Sequence, residues 1–180
     1  STLGKEFDVF NGDIPDITQG KNECAPTSVA NSLLWLAKKN SFNDKMPNSQ
    51  GDLINELKGD LKWGADKGVN DEDFISGKKA FTARHGIDIE VHRVAANDYD
   101  LNIVAKIAQE LQKGQDVEVG IEFWKKQADG KWKIVGGHWM TAVGARGTRD
   151  GQRIYVHDPA SPGPSSLDSY KVDGTRIVDY

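Results

Sequence analysis

Length, composition and charge exclude several classes of protein before any motif is considered. The chain has 180 residues, an ordinary size for one domain, and it is long enough to bury roughly two-thirds of the surface that its unfolded form exposes. Its 23 Lys and Arg against 27 Asp and Glu give a net charge of -4 and no basic surface for DNA or RNA, so we expect one domain over residues 1–180 and no nucleic-acid partner.

The first part of the chain predicts helices after a leading stretch of loop. Pro15, glycines and acidic residues indicate extended chain and loop through Gln19. A helix is predicted from about Cys24 to Asn40, where apolar residues recur at three- and four-residue intervals. Pro26 fits only in a first turn, so this helix should begin within a residue or two of Cys24. The same criteria predict a brief helix around Leu53 and Leu57, one that starts after Asn70 and ends near Gly86, and one over 98–113.

The second part of the chain predicts an antiparallel sheet, because the period of the apolar residues changes to two. A short strand is predicted at Ile87–Val91, before the last helix. Turn signals at 128–130, 150–151 and 159–164 separate the other strands. These strands are predicted over 117–123, 132–134, 138–145, 153–158 and 170–180. Helices followed by strands indicate an α+β fold with segregated layers.

Cys24, the only cysteine, is placed where a helix would stabilise its thiolate through free N–H groups and the helix dipole. The commoner role of a lone cysteine is that of a small buried apolar residue, so other residues must decide between the two. Gln19 precedes Cys24 by a short loop, which can fold its amide back beside the Cys24 N–H. Two such donors can stabilise the oxyanion of a tetrahedral intermediate, although a glutamine at such a place is often only a surface residue.

His138 and Asp158 are the polar residues that the predicted sheet brings close together. His138 follows two glycines and opens a strand of small and apolar residues that should be buried on both faces. Asp158 shares the apolar face of the next strand, one hairpin away, so it can accept a hydrogen bond from the imidazole. Two simpler interpretations stay open. His138 can be a core histidine bonded to backbone, and Asp158-Pro159 can form a turn in which the aspartate side chain bonds nearby backbone.

The order of these four residues resembles that of the papain-like cysteine peptidases over nearly the whole chain. The most similar group is the compact one typified by bacteriocin-processing leader peptidases, on the matches Gln19 to Cys24, Gly-His-Trp-Met-Thr-Ala-Val-Gly at 137–144 and Ile-Tyr-Val-His-Asp-Pro at 154–159. The resemblance implies a helical half that carries the thiol, a sheet half that carries His and Asp, and a cleft between them. It also implies Cys24 as nucleophile, His138 as base, Asp158 as the group that orients the histidine, and Gln19 as oxyanion donor.

The sequence departs from these families in places. Glu23-Cys24-Ala25-Pro26 replaces the Asp-Cys-Gly common in leader peptidases, and the Cys-Gly-Ser-Cys-Trp pattern of papain is absent. Specificity for double-glycine leaders is not carried over. The insert at 41–70 and the tail after Pro164 have no counterpart, and both can border the cleft.

We therefore expect a cysteine peptidase that hydrolyses a peptide or isopeptide bond of a peptide or protein substrate. The same residues can instead deamidate or transamidate a protein glutamine or cleave a cell-wall peptide, and the fold can also serve as a binding module without turnover. No cofactor or metal is expected, because the histidines at 85, 92, 138 and 157 are too scattered for a zinc motif. Most tryptophans, Trp132 and Trp139 among them, are expected in the core.

The cellular setting is less constrained. No apolar run approaches the ~20 residues of a membrane span, so no membrane-spanning helix is expected. The N-terminal Ser1-Thr2-Leu3-Gly4 has neither an initiator methionine nor a signal-peptide pattern, which suggests a mature or trimmed form. The lack of disulfides fits a reducing compartment, yet a protein with one cysteine also functions outside the cell. Localisation stays open, with a secreted or periplasmic one slightly favoured, and so does the oligomeric state.

Overall fold

The computed structural model describes residues 6–94, 103–149, 151–166 and 176–179, the last four as backbone only, and its fold is α+β, as predicted. Within these residues lie four helices: α1 (Cys24–Lys39), α2 (Gln50–Asp60), α3 (Asp71–Arg84) and α4 (Ile103–Gln112). The strands are β1 (Phe7–Phe10), β2 (Val117–Lys126), β3 (Trp132–Thr148), β4 (Gly151–His157), β5 (Pro164–Ser166) and β6 (Arg176–Asp179). No helix of the described ranges combines the length and the apolar character that crossing a membrane requires.

The strands form one antiparallel sheet in the order β5-β4-β3-β2-β6. β3 is the longest strand and pairs with β2 over most of its length. Past Ala142, which pairs with the first residue of β2, the C-terminal end of β3 pairs with β1 instead. β3 carries two bulges, at Val135 opposite β2 and at Val143 opposite β4, and His138 lies between them. Bulges bend a strand and redirect its side chains, so β3 bends at both ends of the regularly paired stretch that carries His138.

Alternate residues of β3 face opposite sides of the sheet. Trp139 packs in a cluster with α1, α2 and α3, and Val143 packs against Trp35 of α1. Met140 and Ala142 pack in a second cluster with α4. The helix that begins at Cys24 and the helix α4 therefore cover opposite faces of the strand that carries His138.

Two buried hydrogen bonds connect α1 to β3. The Ser28 hydroxyl donates to the carbonyl oxygen of Trp139 at 3.1 Å, and the Thr141 hydroxyl donates to the carbonyl oxygen of Ser28 at 2.9 Å. Such bonds contribute about 1 kcal/mol each, and losing one partner inside a core costs more. Because Ser28 lies one helical turn after Cys24 and Trp139 is next to His138, these bonds set the position of the thiol relative to the imidazole.

The helix boundaries predicted from the sequence are confirmed where the structure describes them. α1 begins at Cys24, with Pro26 in its first turn. The Asn70 side chain accepts the N–H of Asp73 at 2.8 Å and so caps α3, and the brief helix predicted around Leu53 is α2. The first residues of the predicted helix 98–113, those at 98–102, lie outside the described residues, as do Asp150 and the predicted strand's residues 170–175 and 180.

Four local predictions are wrong. Residues 87–91 form no strand, because Ile87 is buried in the helical cluster and no described strand runs beside this segment. Residues 7–10, expected as loop, form β1, and residues 164–166, expected to follow a turn as tail, form β5. Trp132, expected in the core, is 47% exposed on the β2–β3 hairpin.

A buried charge cluster joins α3 to β2. The Lys78 ammonium donates to Asp116 at 2.5 Å and to both carboxylate oxygens of Glu118 at 3.0 Å. Although burial alone would lower the pKa of Lys78, the charges of Asp116 and Glu118 raise it above its ordinary value. Burial raises the pKa of Glu118, and Lys78 opposes that effect. The lysine is thus the group that makes two buried carboxylates tolerable at this point of the sheet.

Candidate active site

The loop before α1 presents Cys24 at an open helix end. The Glu23 side chain does not cap α1; its carboxylate instead accepts the N–H of Gly20 at 3.0 Å and pairs with the Lys58 ammonium of α2. A Cβ atom on Gly20 would collide with this carboxylate, so a larger residue there would displace the Glu23 side chain. The first N–H groups of α1 therefore remain available to an anion at the position of the thiol.

His138 lies between Cys24 and Asp158. Its Nε2–H donates to Oδ1 of Asp158 at 2.6 Å, with only 14% and 5% of the two side chains exposed. Cys24 lines the same cleft as His138, and hydrogen bonding and charge from its side chain contribute to raising the pKa of the ring. Cysteine, histidine and aspartate from three different segments thus interact at one site.

The electrostatics of this chain favour a charged imidazole. Burial opposes protonation of His138, but the hydrogen bonds to Asp158 and Cys24, together with the negative charges of both groups, outweigh burial and raise its pKa to about 9. At neutral pH the ring therefore carries its proton. An imidazolium beside sulfur stabilises the thiolate, which is the nucleophilic form of cysteine.

Asp158 is held by backbone as well as by the histidine. Its Oδ1 also accepts the N–H of Ala160 at 2.8 Å. Asp158 therefore also bonds the backbone of its own turn, which is the second interpretation that the sequence allows. In the same loop, the carbonyl oxygen of Pro159 accepts the N–H of Gln19 at 2.7 Å, and the N–H of Gly163 donates to Asp16 at 2.7 Å. The backbone of this loop therefore holds the Asp158 carboxylate in place independently of His138.

Gln19 lies next to this loop, but its amide has another partner. Its Nε2 donates to the carbonyl oxygen of Gly20 at 3.1 Å, and its buried Oε1 has no hydrogen-bond partner among the described residues. Gln19 is not one of the described residues that line the cleft at Cys24. Its role as oxyanion donor requires the amide to turn toward sulfur and stays a prediction.

An open cleft of about 470 Å³ exposes Cys24 and His138 to solvent. Its walls come from the loop 66–69, from β2 at 120–122 and from β3 at 135–139, so part of the insert at 41–70 borders the cleft. Four of the lining residues are glycines, at 68, 120, 136 and 137, and Gly136 and Gly137 are exposed. Glycine at such places lets a ligand backbone approach closely.

Trp139 forms a rigid part of the cleft wall. Its indole stacks on Phe74, with ring centroids 3.9 Å apart and planes 13° apart, and its Nε1 donates to the carbonyl oxygen of Val69 at 3.3 Å. A Cβ atom on Gly120 would lie 2.9 Å from the indole, so Gly120 makes room for it. This confirms Trp139 as a buried residue and places it beside His138.

Asn22 is a cleft residue that the sequence reasoning missed. It has a φ of 57° and connects the pre-helix loop to the insert, since its amide donates to Ala65 and its carbonyl oxygen accepts the indole N–H of Trp63 at 2.6 Å. Asparagine is among the few residues other than glycine that readily adopt a positive φ. Its position two residues before Cys24 was the available signal.

The other histidines have separate surroundings. His157, on the opposite face of β4 from Asp158, bonds the carbonyl oxygen of Pro15 at 3.0 Å. His85 contacts Lys45 and Glu56, and the His92 side chain is 75% exposed. Within the described ranges, no group of three or more His, Cys, Asp or Glu side chains is arranged to hold a metal ion.

Comparison with known proteins finds no match: neither a protein-family model nor a curated protein corresponds to this sequence. The resemblance to papain-like peptidases therefore depends on the residues themselves and on where the fold places them.

Proposed function

We propose that this chain is a thiol-dependent hydrolase with a papain-like arrangement, which cleaves a peptide or isopeptide bond. The observation that carries the proposal is the position of His138, which donates to Asp158 at 2.6 Å and lines, together with Cys24, a cleft open to solvent. A helix-borne thiol facing a sheet-borne imidazole and carboxylate supports the papain-like arrangement. Nucleophile, base and orienting group are the set that acyl transfer requires.

In the proposed reaction, the Cys24 thiolate attacks the carbonyl carbon of the scissile bond and forms a tetrahedral intermediate. The oxyanion is stabilised by the N–H groups at the start of α1 and by Gln19 once its amide turns toward the site. The His138 imidazolium gives its proton to the leaving amine, which departs and leaves a thioester on Cys24. The now neutral imidazole then takes a proton from water, and the resulting hydroxide releases the acid product and regenerates the thiolate.

The cleft favours a peptide over a compact small molecule. It is open to solvent, and its glycines leave space for a main chain beside the sulfur. The absence of side chains at Gly136 and Gly137, directly before His138, leaves the approach to the imidazole free for the leaving group.

Mass spectrometry of a panel of peptides and unfolded proteins tests the proposal, with wild type, Cys24→Ser and His138→Ala compared under the same conditions. Of these three proteins, we expect only wild type to cleave. The control is His92→Ala, which changes an exposed histidine that pairs with Glu90, and it should cleave like wild type. A mass change of one unit at glutamine without cleavage would instead indicate deamidation. No product with any substrate, together with slow alkylation of Cys24, would point to a binding module and contradict the proposed hydrolase.

A further inference from the structure

The hairpin of β2 and β3 presents an unpaired strand edge beside the candidate active site. β4 pairs with β3 only from Thr141 onward, and on that side no described strand pairs with β3 over residues 132–140. Residues 132–137 are all exposed. An open strand edge offers a row of backbone N–H and C=O groups to another extended chain.

This edge leads directly into the cleft. Val135 is the extra residue of the bulge, because Phe123 pairs with Gly136 whereas Trp124 pairs with Ile134. Residues 135–138 also line the cleft at Cys24. A chain that pairs with this edge would therefore run along β3 into the cleft at Cys24.

One face of the hairpin is apolar and exposed. Of the five large apolar side chains that are exposed in the described residues, three lie here: Trp132 at 47%, Ile134 at 47% and Val135 at 56%. Trp132 and Ile134 point to the same face of β3, since they are two residues apart. Exposed apolar side chains gathered in this way are typical of a binding surface.

The other face of the hairpin is basic. Lys125 and Lys133 are direct cross-strand partners and so lie side by side on the same face. Both are exposed, and neither forms an ion pair with a described residue. Like charges directly opposite each other destabilise a hairpin, and a carboxylate on a strand next to Lys133 offsets this repulsion. The exposed Lys131 adds positive charge near the turn, whereas Lys126 is the cross-strand partner of Trp132 and so lies on the apolar face.

We propose that the edge at residues 132–137 binds an extended segment of the polypeptide substrate as an added β-strand. Acidic side chains of that segment contact Lys133, with the positive charge of Lys125 one strand further away, and the alternate, apolar side chains contact Trp132 and Ile134. The inference rests on the proposed function, because it is the substrate that must pass from this edge to Cys24. The substrate class is thus a chain in which acidic and apolar residues alternate next to the scissile bond.

Binding to the Cys24→Ser protein tests the inference without any need for turnover. The probe is a fluorescein-labelled eight-residue peptide in which glutamate alternates with valine, and its counterpart has lysine in place of glutamate. By fluorescence anisotropy at low salt, the glutamate peptide should bind roughly tenfold more tightly, because glutamate is attracted to Lys133 across the added pair of strands whereas lysine at the same place is repelled. Lys125→Glu/Lys133→Glu should reverse the preference, whereas the charge-matched control Lys38→Glu/Lys79→Glu, on exposed helix positions, should keep it.

Hydrogen exchange locates the bound peptide. The glutamate peptide should slow exchange of the amides at 132–137, and the same peptide N-methylated at alternate residues should bind weakly, because it cannot complete the ladder of hydrogen bonds. Equal affinity for the two peptides, no binding of either, or no effect of charge reversal would overturn the inference. So would protection of 132–137 that rises with protein concentration in the absence of peptide, which would assign the edge to a second copy of the chain.

The outcomes for the edge and for the hydrolase are separable. Charge-selective binding by the Cys24→Ser protein, with no turnover by wild type, would support the strand edge and contradict the hydrolase. Turnover by wild type with no selective binding at 132–137 would support the hydrolase and overturn the strand edge.

Discussion

Replacing Asp158 separates its two tasks, which are to orient the His138 ring and to stabilise its positive charge. Both of the hydrogen bonds described above, from His138 Nε2 and from the Ala160 N–H, end on the same oxygen, Oδ1. The amide oxygen of an Asp158→Asn variant can accept both bonds, so this variant keeps the orientation but loses the charge. Asp158→Ala loses both.

The structure sets the size of the charge effect. The pKa of His138 is raised from 6.5 to about 9, against the opposing effect of burial, and a difference of this size corresponds to about 3 kcal/mol in favour of the imidazolium. Without the carboxylate charge, the imidazolium should lose its proton at a lower pH than in wild type, because one of the groups that raise its pKa is weakened. The reactive pair needs protonated His138, so the alkaline limit of activity should move down by the same amount.

The assay is a pH profile of kcat/KM for wild type, Asp158→Asn and Asp158→Ala on one substrate. The Asn variant should be near wild type at pH 6 and should fail at a lower alkaline pH, while the Ala variant should lose roughly 10²-fold throughout, because the ring is no longer held. Asp16→Asn is the control, since Asp16 accepts the N–H of Gly163 in the same loop without touching His138. Equal profiles for all three proteins would refute the orienting role, and an Asn variant as impaired as Ala would refute the division into two tasks.

The same pKa has a consequence for stability. A group with a higher pKa in the folded than in the unfolded state stabilises the fold fully below the unfolded value, and this contribution disappears as pH rises through the folded value. The stabilisation from His138 should therefore be complete below about pH 6.5 and lost by about pH 9. Urea unfolding of wild type should show this loss between pH 6.5 and 9, and Asp158→Asn should show a smaller one.

Three further predictions follow from the site and the core. Cys24 should react with iodoacetamide at pH 6 faster than free cysteine, whose thiol of pKa ~8.5 is then mostly protonated, and a rate no higher would contradict an activated thiol. Gln19→Ala should lower kcat by ~10–10³ with little change in substrate binding, and a loss seen only in binding would make Gln19 a binding residue. Lys78→Met should lower the free energy of unfolding by about 3–5 kcal/mol because it strands two buried carboxylates; urea unfolding measures this, and adding Asp116→Asn and Glu118→Gln should recover much of it.

The sequence predicts those parts of the fold that depend on local signals. Pro26 and Asn70 mark the starts of α1 and α3 because their backbone preferences suit a first turn and an N-cap, whatever lies around them. The apolar alternation at Ile87 and Ile89 is equally clear, but no described strand lies beside this segment. Packing against the helices therefore determines its conformation. β1 shows the opposite case, since residues 7–10 become a strand only through pairing with residues 144–147.

The candidate site is predicted unevenly for the same reason. The alternation of β4 is sufficient to put Asp158 within reach of His138, and the start of α1 is sufficient to place Cys24 at a helix end. The far wall of the cleft, built by Asn22 and the loop 66–69, depends on hydrogen bonds between segments that are distant in sequence. The orientation of the Gln19 amide is likewise set by a local contact with Gly20 that no spacing rule predicts.

The hydrogen bonds between Ser28 and β3 join residues 111 and 113 positions apart in the chain. Closing a loop of that length costs about 4 kcal/mol of chain entropy, so these hydrogen bonds are not expected to form early in folding. On a ribosome adding ~5–20 residues per second, the thiol would be synthesised ~6–20 seconds or more before the strand that carries its histidine. Throughout that interval Cys24 has no imidazole beside it, so the proposed nucleophile would gain its base only when β3 and β4 are in place.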